Sequence, residues 1–227
     1  MLCAGRAAGL EAIGFSDHVI YPQHRERPGL LRARVPDEYG GMRVCIGCEA
    51  DVLSETEIAI DRDFADSLDF VILSASHLNV PGAGHPRGLT AQEEAAYIIR
   101  LMHVCVESGL ADVIAHPFCV PVPTYSFEEL ATAAEPDALL RLGEAAARAG
   151  VAIEYNPREL RRSPVAARWL YDLFLQAGVM LAVNSDAHRP SSVGCRGPQH
   201  AAEEEMRAAG VTEERLWRVE ECSRLRR

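Results

Sequence analysis

The sequence has no apolar run long enough to cross a membrane, which takes about 20 consecutive residues. The first residues, MLCAGRAAGLEAIGF, also lack the basic region, apolar segment and cleavage site of a secretory signal. We therefore expect a cytoplasmic protein without a membrane partner. The seven cysteines are odd in number and scattered, which favours reduced thiols over a disulfide framework.

Three catalytic signatures are missing as well. The chain has no GxSxG nucleophile elbow, no phosphate-binding P-loop and no GxGxxG dinucleotide fingerprint. Their absence argues against a serine hydrolase, a nucleoside triphosphatase and a Rossmann-type oxidoreductase.

Positive charge is scarce. The 227 residues include 23 Lys and Arg against 33 Asp and Glu, which gives a net charge of -10. Such a surface repels phosphate backbones, so extended nucleic-acid binding is disfavoured. A chain of this length can bury the core of one domain, and we expect a single domain over residues 1–227.

Short apolar runs alternate with segments of helical periodicity. Glycines at the expected helix ends, such as Gly109, Gly150 and Gly178, are followed directly by apolar residues that lead into the next run. This order predicts an α/β protein with a parallel sheet. The predicted strands are Ala12–Phe15, Val44–Gly47, Phe70–Leu73, Val113–Ala115, Val151–Ile153 and Met180–Val183. The predicted helices lie within Glu55–Ser67, Gln92–Ser108, Pro136–Ala149, Pro164–Ala177 and Ala201–Ala209.

Acid, amide or imidazole groups follow nearly every one of these strands. They are Ser16-Asp17-His18, Glu49, Ser76-His77, His116, Glu154 with Asn156, and Asp186 with His188. Side chains at the carboxyl ends of parallel strands meet at one rim, and polar groups after nearly every strand favour a barrel over an open sheet. Imidazole and carboxylate without thiolate suit zinc, manganese or iron, and a carboxylate such as that of Glu49 can bridge two ions. The remaining histidines, His24, His85, His103 and His200, lie away from strand ends and are interpreted as surface or structural.

Six motifs together resemble those of the polymerase-and-histidinol-phosphatase (PHP) superfamily. They are EAIGFSDH, VCIGCEADV, DFVILSASH, DVIAHP, AIEYNP and AVNSDAH, spread between Gly9 and Gly194. The resemblance is strongest to the stand-alone histidinol-phosphatase-like members. It implies a distorted (βα)7 TIM-like barrel with two or three divalent metal ions, and hydrolysis of a phosphate monoester of a small metabolite.

The resemblance also implies roles for individual residues. His18, Asp186 and His188 would bind a first metal, while His77 and His116 would complete a second, which Glu49 would bridge to a third. Glu49, Asp186 and His188 are thereby assigned to catalysis. Asp17 is expected to orient an imidazole. Arg158, which follows the AIEYNP motif, is a candidate for binding substrate phosphate, although a solvated arginine is an equal alternative.

One family motif has no counterpart here. The PHP pattern opens with a strand carrying His-x-His, and nothing in this sequence matches it. We therefore expect a barrel that lacks its first strand, and fewer metals than the family site holds. Two alternatives to a phosphomonoesterase stay open: a nuclease or phosphodiesterase that uses the same metals, and a catalytically inert truncated domain.

The long segment Tyr21–Gly41 is predicted to be a loop. Its arginines, Arg25, Arg27, Arg32 and Arg34, are interpreted either as a cationic lid over the site or as a solvated charge run.

Overall fold

The strands form one eight-stranded sheet in the computed structural model, which describes residues 1–81, 83–121, 123–156, 161–193, 204, 206–207, 210–219 and 222. In chain order they are β1 (Ala12–Val19), β2 (Glu38–Tyr39), β3 (Met42–Ser54), β4 (Glu57–Ile58), β5 (Val71–Ser74), β6 (Val113–Ile114), β7 (Ala152–Tyr155) and β8 (Leu181–Val183). Six of them are parallel neighbours in the order β1-β3-β5-β6-β7-β8, while β2 and β4 pair antiparallel with β3.

The α/β class predicted from the sequence is confirmed. The helices are α1 (Leu2–Ala7), α2 (Glu26–Arg32), α3 (Arg62–Asp66), α4 (Ala91–Glu107), α5 (Phe127–Ala133), α6 (Pro136–Ala149) and α7 (Pro164–Gln176). Short 3-10 turns cover Pro22–Arg25, Pro190–Ser192 and Glu213–Arg215. Within the described residues the path of parallel strands runs from β1 to β8, and Leu216 adds a parallel bridge to Leu181 of β8.

One helix lies where the sequence predicted a loop, and one predicted helix lies where the structure describes few residues. Helix α2 lies inside the segment predicted as a loop, and its first turn contains Pro28, a position where the missing N–H costs little. The predicted helix over Ala201–Ala209 falls mostly outside the described residues. No helix in the described part of the chain is long and apolar enough to span a membrane.

Strand β3 shows how the sheet separates its two faces. Successive side chains of a strand point to opposite faces, so Cys45, Gly47, Glu49 and Asp51 share one face. Cys45 belongs to an inner apolar cluster with Phe70, whereas Cys48 packs in the outer core beneath the helices. The Cys-x-x-Cys spacing of this strand therefore places its two thiols on opposite faces of the sheet.

The inner face is tightly filled below the rim. A Cβ atom on Gly47 would lie 2.5 Å from the carbonyl oxygen of Phe70 and 2.7 Å from its ring. The inner cluster also contains Ile72, Val113 and Ala152, one from each of β5, β6 and β7. The face that carries apolar residues at this level carries the polar residues at the carboxyl ends of the same strands.

Candidate metal centre

Glu49 at the carboxyl-terminal part of β3 is surrounded by three imidazoles. Its Oε1 lies 3.0 Å from His116 Nε2 and 3.7 Å from His77 Nε2, and its Oε2 lies 3.9 Å from His18 Nδ1. The imidazoles come from β1 and from the segments that follow β5 and β6. The predicted convergence of these four side chains on one rim is what the structure shows.

The electrostatics of this cluster favour an ionised carboxylate. Burial by itself would raise the pKa of Glu49, but the hydrogen bond from His116 and the charges of His116, His77 and His18 lower it to about 2. Burial would likewise lower the pKa of His116, but the hydrogen bond to Glu49 and the surrounding carboxylates raise it to about 9. In the metal-free protein the two groups thus form an ion pair.

Asp51 is a site residue that the sequence interpretation missed. Its Oδ1 lies 2.7 Å from His77 Nδ1, and the residue is only 1% exposed. Asp51 stands two residues after Glu49, so the alternation of β3 places both carboxylates on the inner face. The Glu-x-Asp spacing on a predicted strand was the signal that could have identified it.

Asp186 and His188 lie at the open side of the cluster. The Nδ1 atom of His188 is 3.0 Å from the backbone oxygen of Asp186 and 3.6 Å from its Oδ1, and the His188 side chain is 72% exposed. Asp186 has a φ of 42°, a left-handed conformation that Asp tolerates better than most residues. Both residues line the same cleft as Glu49.

Glu154 and Asn156 form a buried polar layer beside the cluster. Glu154 accepts hydrogen bonds from the backbone N–H of His116, at 2.9 Å, and from Asn156 Nδ2, at 3.1 Å. Burial raises the pKa of Glu154, against the opposing charge of His116, and the negative charges of Glu49 and Asp186 raise it further. Glu154 therefore fixes the backbone that carries His116.

A cleft of about 600 Å³ opens from this cluster. It is lined by the imidazoles and Glu49, and also by Tyr125, Ser126, Glu128, Arg162 and Ser163. Ser163 donates a hydrogen bond of 2.9 Å to Glu128, which fixes that carboxylate in the cleft. Arg162 is a cationic group of this cleft that the sequence analysis did not single out.

The structure does not bring Asp17 to the imidazoles. Asp17 is exposed and follows the alternation of β1 to the opposite face from His18. The carboxylate that contacts an imidazole here is Asp51 instead. Arg158, the candidate for binding phosphate, lies outside the described residues.

Two of the four arginines of Tyr21–Gly41 have a third role, which neither interpretation anticipated. Arg25 donates to Asp61 at 2.5 Å and to the backbone oxygen of Ala59 at 2.8 Å, and Arg32 pairs with Asp69 at 2.9 Å. These contacts hold the segment against the sheet and α3. Arg27 donates to the backbone oxygen of His18 at 3.5 Å, while Arg34 is exposed.

The histidines interpreted as structural remain outside the cluster where the structure describes them. His24 accepts a hydrogen bond from the backbone N–H of Ile20, and His85 pairs with the hydroxyl of Tyr97 at 3.0 Å. His103 lies within α4, and His200 lies outside the described residues.

The donor set fits a divalent cation. Within the described residues, Nδ1 of His18 and Nδ1 of His116 are buried without a hydrogen-bond partner, a condition that costs free energy unless a ligand satisfies the atoms. Glu49, His77 and His116 each offer a ligand atom within 4.8 Å of the others, as do His18, Asp51 and His77. Nitrogen and carboxylate oxygen are ligands that zinc, manganese and iron accept.

Comparison with known proteins found a related sequence and several solved structures of similar fold. A protein named probable histidinol-phosphatase, from Deinococcus radiodurans, is 28% identical over 213 residues, which cover 83% of this chain and 79% of that protein. The crystal structure of histidinol phosphate phosphatase from Lactococcus lactis, complexed with zinc, L-histidinol and phosphate, matches with a TM-score of 0.57. It is 20% identical and covers 93% of this chain and 86% of that chain. No protein-family model matches the sequence.

Proposed function

We propose that this chain, a relative of the histidinol-phosphatase-like proteins of the PHP superfamily, is a metal-dependent phosphoesterase that hydrolyses a phosphate monoester of a small metabolite. The resemblance predicted from six sequence motifs is confirmed by a related sequence and a similar structure that both carry the histidinol-phosphatase name. The single observation that carries the proposal is the buried Glu49 among three imidazoles in the lining of an open cleft.

Residues of the chain divide between two cation positions in this proposal. Glu49, His77 and His116 would hold one cation, and His18, Asp186 and His188 would hold another, with Glu49 close enough to serve both. Bound divalent cations supply the hydrolytic chemistry, because they neutralise phosphoryl charge and lower the pKa of water to about 7. We propose zinc, manganese or iron, two ions or more, as the natural complement.

The chain itself contributes charge and position. Glu49 stays ionised at neutral pH and holds the imidazoles together, while Glu154 anchors the backbone of His116. Arg162 supplies a cationic group that can hold phosphoryl oxygens, and Arg158 is a second candidate for that role. A cleft of about 600 Å³ is large enough for a small metabolite, and the net charge of -10 disfavours an extended nucleic-acid strand.

A substrate panel tests this proposal. The metal-loaded protein is assayed for phosphate release from small phosphomonoesters. L-histidinol phosphate is included because the related sequence and the similar structure are both named as histidinol phosphatases. Parallel assays use a phosphodiester and single-stranded DNA. Turnover of a monoester that stops on chelation and returns with zinc, manganese or iron supports the proposal. Cleavage of the diester or DNA alone would identify a nuclease or phosphodiesterase, and no turnover with metal bound would identify an inert domain.

A further inference from the structure

We propose that Asp51 is a positioning residue that sets the orientation and tautomer of His77. This inference rests on the proposed metal centre but assigns a role to a side chain that would not itself hold a cation. Asp51 would keep a proton on His77 Nδ1, so that the lone pair of Nε2 faces Glu49 and is free to bind metal.

The two sides of the His77 ring face different carboxylates at different distances. Two zinc ligands at about 2.1 Å from the ion, at a tetrahedral angle, lie about 3.4 Å apart. His77 Nε2 and Glu49 Oε1 are 3.7 Å apart, which leaves room for a shared ion. His77 Nδ1 and Asp51 Oδ1 are 2.7 Å apart, which is the length of a direct charge-assisted hydrogen bond.

Burial strengthens this contact. Asp51 is 1% exposed, and its second oxygen, Oδ2, is buried without a hydrogen-bond partner in the part of the chain that the structure describes. A buried carboxylate with one free oxygen depends strongly on the partner that it has. The imidazole of His77 is therefore held by its Nδ1 atom before any cation arrives.

The alternative is that Asp51 is a metal ligand. His18, Asp51 and His77 offer ligand atoms within 4.8 Å of one another and could in principle hold an ion. An ion held directly between Asp51 Oδ1 and the nearest imidazole atom would bind His77 through Nδ1, the atom that now faces Asp51 at hydrogen-bond distance. The two roles therefore predict opposite protonation states for Nδ1.

Nitrogen-15 NMR of the zinc-loaded, full-length protein reads that state directly. We expect His77 Nδ1 to carry a slowly exchanging proton and Nε2 to show the shift of a zinc-bound nitrogen. A zinc-bound Nδ1, or a His77 that binds zinc through neither nitrogen, would overturn the proposal. The measurement needs no substitution at Asp51, so it stands even if the variants fail to fold.

Zinc titration of Asp51→Asn and Asp51→Ala provides the second test. Loss of a carboxylate that orients a metal-binding histidine typically weakens affinity about 10- to 100-fold, and we expect that loss with the number of bound zinc ions unchanged. The control is Asp112→Asn, which alters a carboxylate that accepts a backbone hydrogen bond from Val71. This contact lies at the amino-terminal ends of β5 and β6, away from the rim that carries the imidazoles. Unchanged affinity in the Asp51 variants, or the loss of one whole equivalent of zinc, would contradict the positioning role.

These readouts are independent of the proposed reaction. If the wild-type protein binds zinc through His77 Nε2 but hydrolyses no monoester, the role of Asp51 stands and the phosphatase proposal fails. If it hydrolyses monoesters but His77 Nδ1 binds the metal, the reverse holds.

Discussion

Glu49 Oε1 lies 3.0 Å from His116 Nε2, although 67 positions of sequence separate the two residues. They belong to β3 and to the segment after β6, with β5 between those strands in the sheet. Opposite charge on this pair lowers the pKa of the acid and raises the pKa of the base. The contact is therefore the electrostatic centre of the site.

Replacing Glu49 by Gln should abolish metal-dependent turnover. The amide keeps the shape of the side chain but removes the charge that both proposed cation positions require, so we expect kcat/KM to fall by more than about 100-fold. Bound metal, measured by elemental analysis after dialysis, should fall in parallel. The matched control is Glu55→Gln, which removes an exposed carboxylate paired with Arg100 and should change neither quantity. Near-normal turnover in Glu49→Gln would refute the ligand assignment.

Replacing Arg162 by Ala should raise KM more than it lowers kcat. A hydrogen bond to a charged group contributes about 1.5 to 3 kcal/mol, which corresponds to about 10- to 100-fold in substrate binding. Steady-state kinetics with the best monoester from the substrate panel measures both constants. Arg161→Ala is the control, because Arg161 is an exposed neighbour that does not line the cleft. Equal effects of the two substitutions would show that Arg162 acts only through general surface charge.

Metal affinity should increase with pH between about 6.5 and 9. The raised pKa of His116, about 9, means that this imidazole carries a proton at neutral pH in the metal-free protein. A cation must displace that proton, so affinity should rise by up to tenfold per pH unit until the pKa is passed. Glu49, with its pKa near 2, stays ionised throughout and adds no slope. Calorimetry in two buffers of different ionisation heat should detect the released proton, and pH-independent affinity would contradict the assignment.

Replacing Gly47 by Ala should destabilise the protein. The new methyl group would lie 2.5 Å from the carbonyl oxygen of Phe70, so β3 or Phe70 must move, at a cost of about 1 to 3 kcal/mol or more. Gly29→Ala, in α2, meets no atom within 4 Å and should be neutral or stabilising. Urea unfolding of both variants in the presence of a chelator measures the difference. Equal unfolding free energies would show that the inner face tolerates a shift at this level.

The sequence predicted the site better than the details around it. The positions of His18, Glu49, His77 and His116 followed from one rule, that parallel strands end at a common rim. Asp51 was missed because the predicted strand ended at Gly47, whereas β3 continues to Ser54 and carries the alternation two residues past Glu49.

The same limitation explains Asp17. The predicted strand ended at Phe15, so the alternation of side chains was not carried through the Ser16-Asp17-His18 segment. In the structure β1 extends to Val19, which turns Asp17 away from the face of His18.

The sequence analysis predicted neither α5 nor α2. Local helix signals were present for α5 and weak for α2. Helix α5 begins with a capping box in which Ser126 and Glu129 satisfy each other's backbone N–H groups, as their spacing of three residues allows. Helix α2 contains Pro28 and Gly29, which are poor helix formers, and is held by contacts such as that of Leu31 with the apolar cluster on β1 and β3. Such tertiary support is not visible in a local pattern.

The imidazoles around Glu49 come from separate strands or from the segments that follow them, so metal binding is coupled to folding of the sheet. In the part of the chain that the structure describes, no single hairpin or helix contains a complete binding set, so capture of a cation requires that the strands carrying its donors have assembled. Added zinc should therefore protect distant cleavage sites as well as those near the rim, and the rate of limited proteolysis with and without zinc becomes a gauge of global folding.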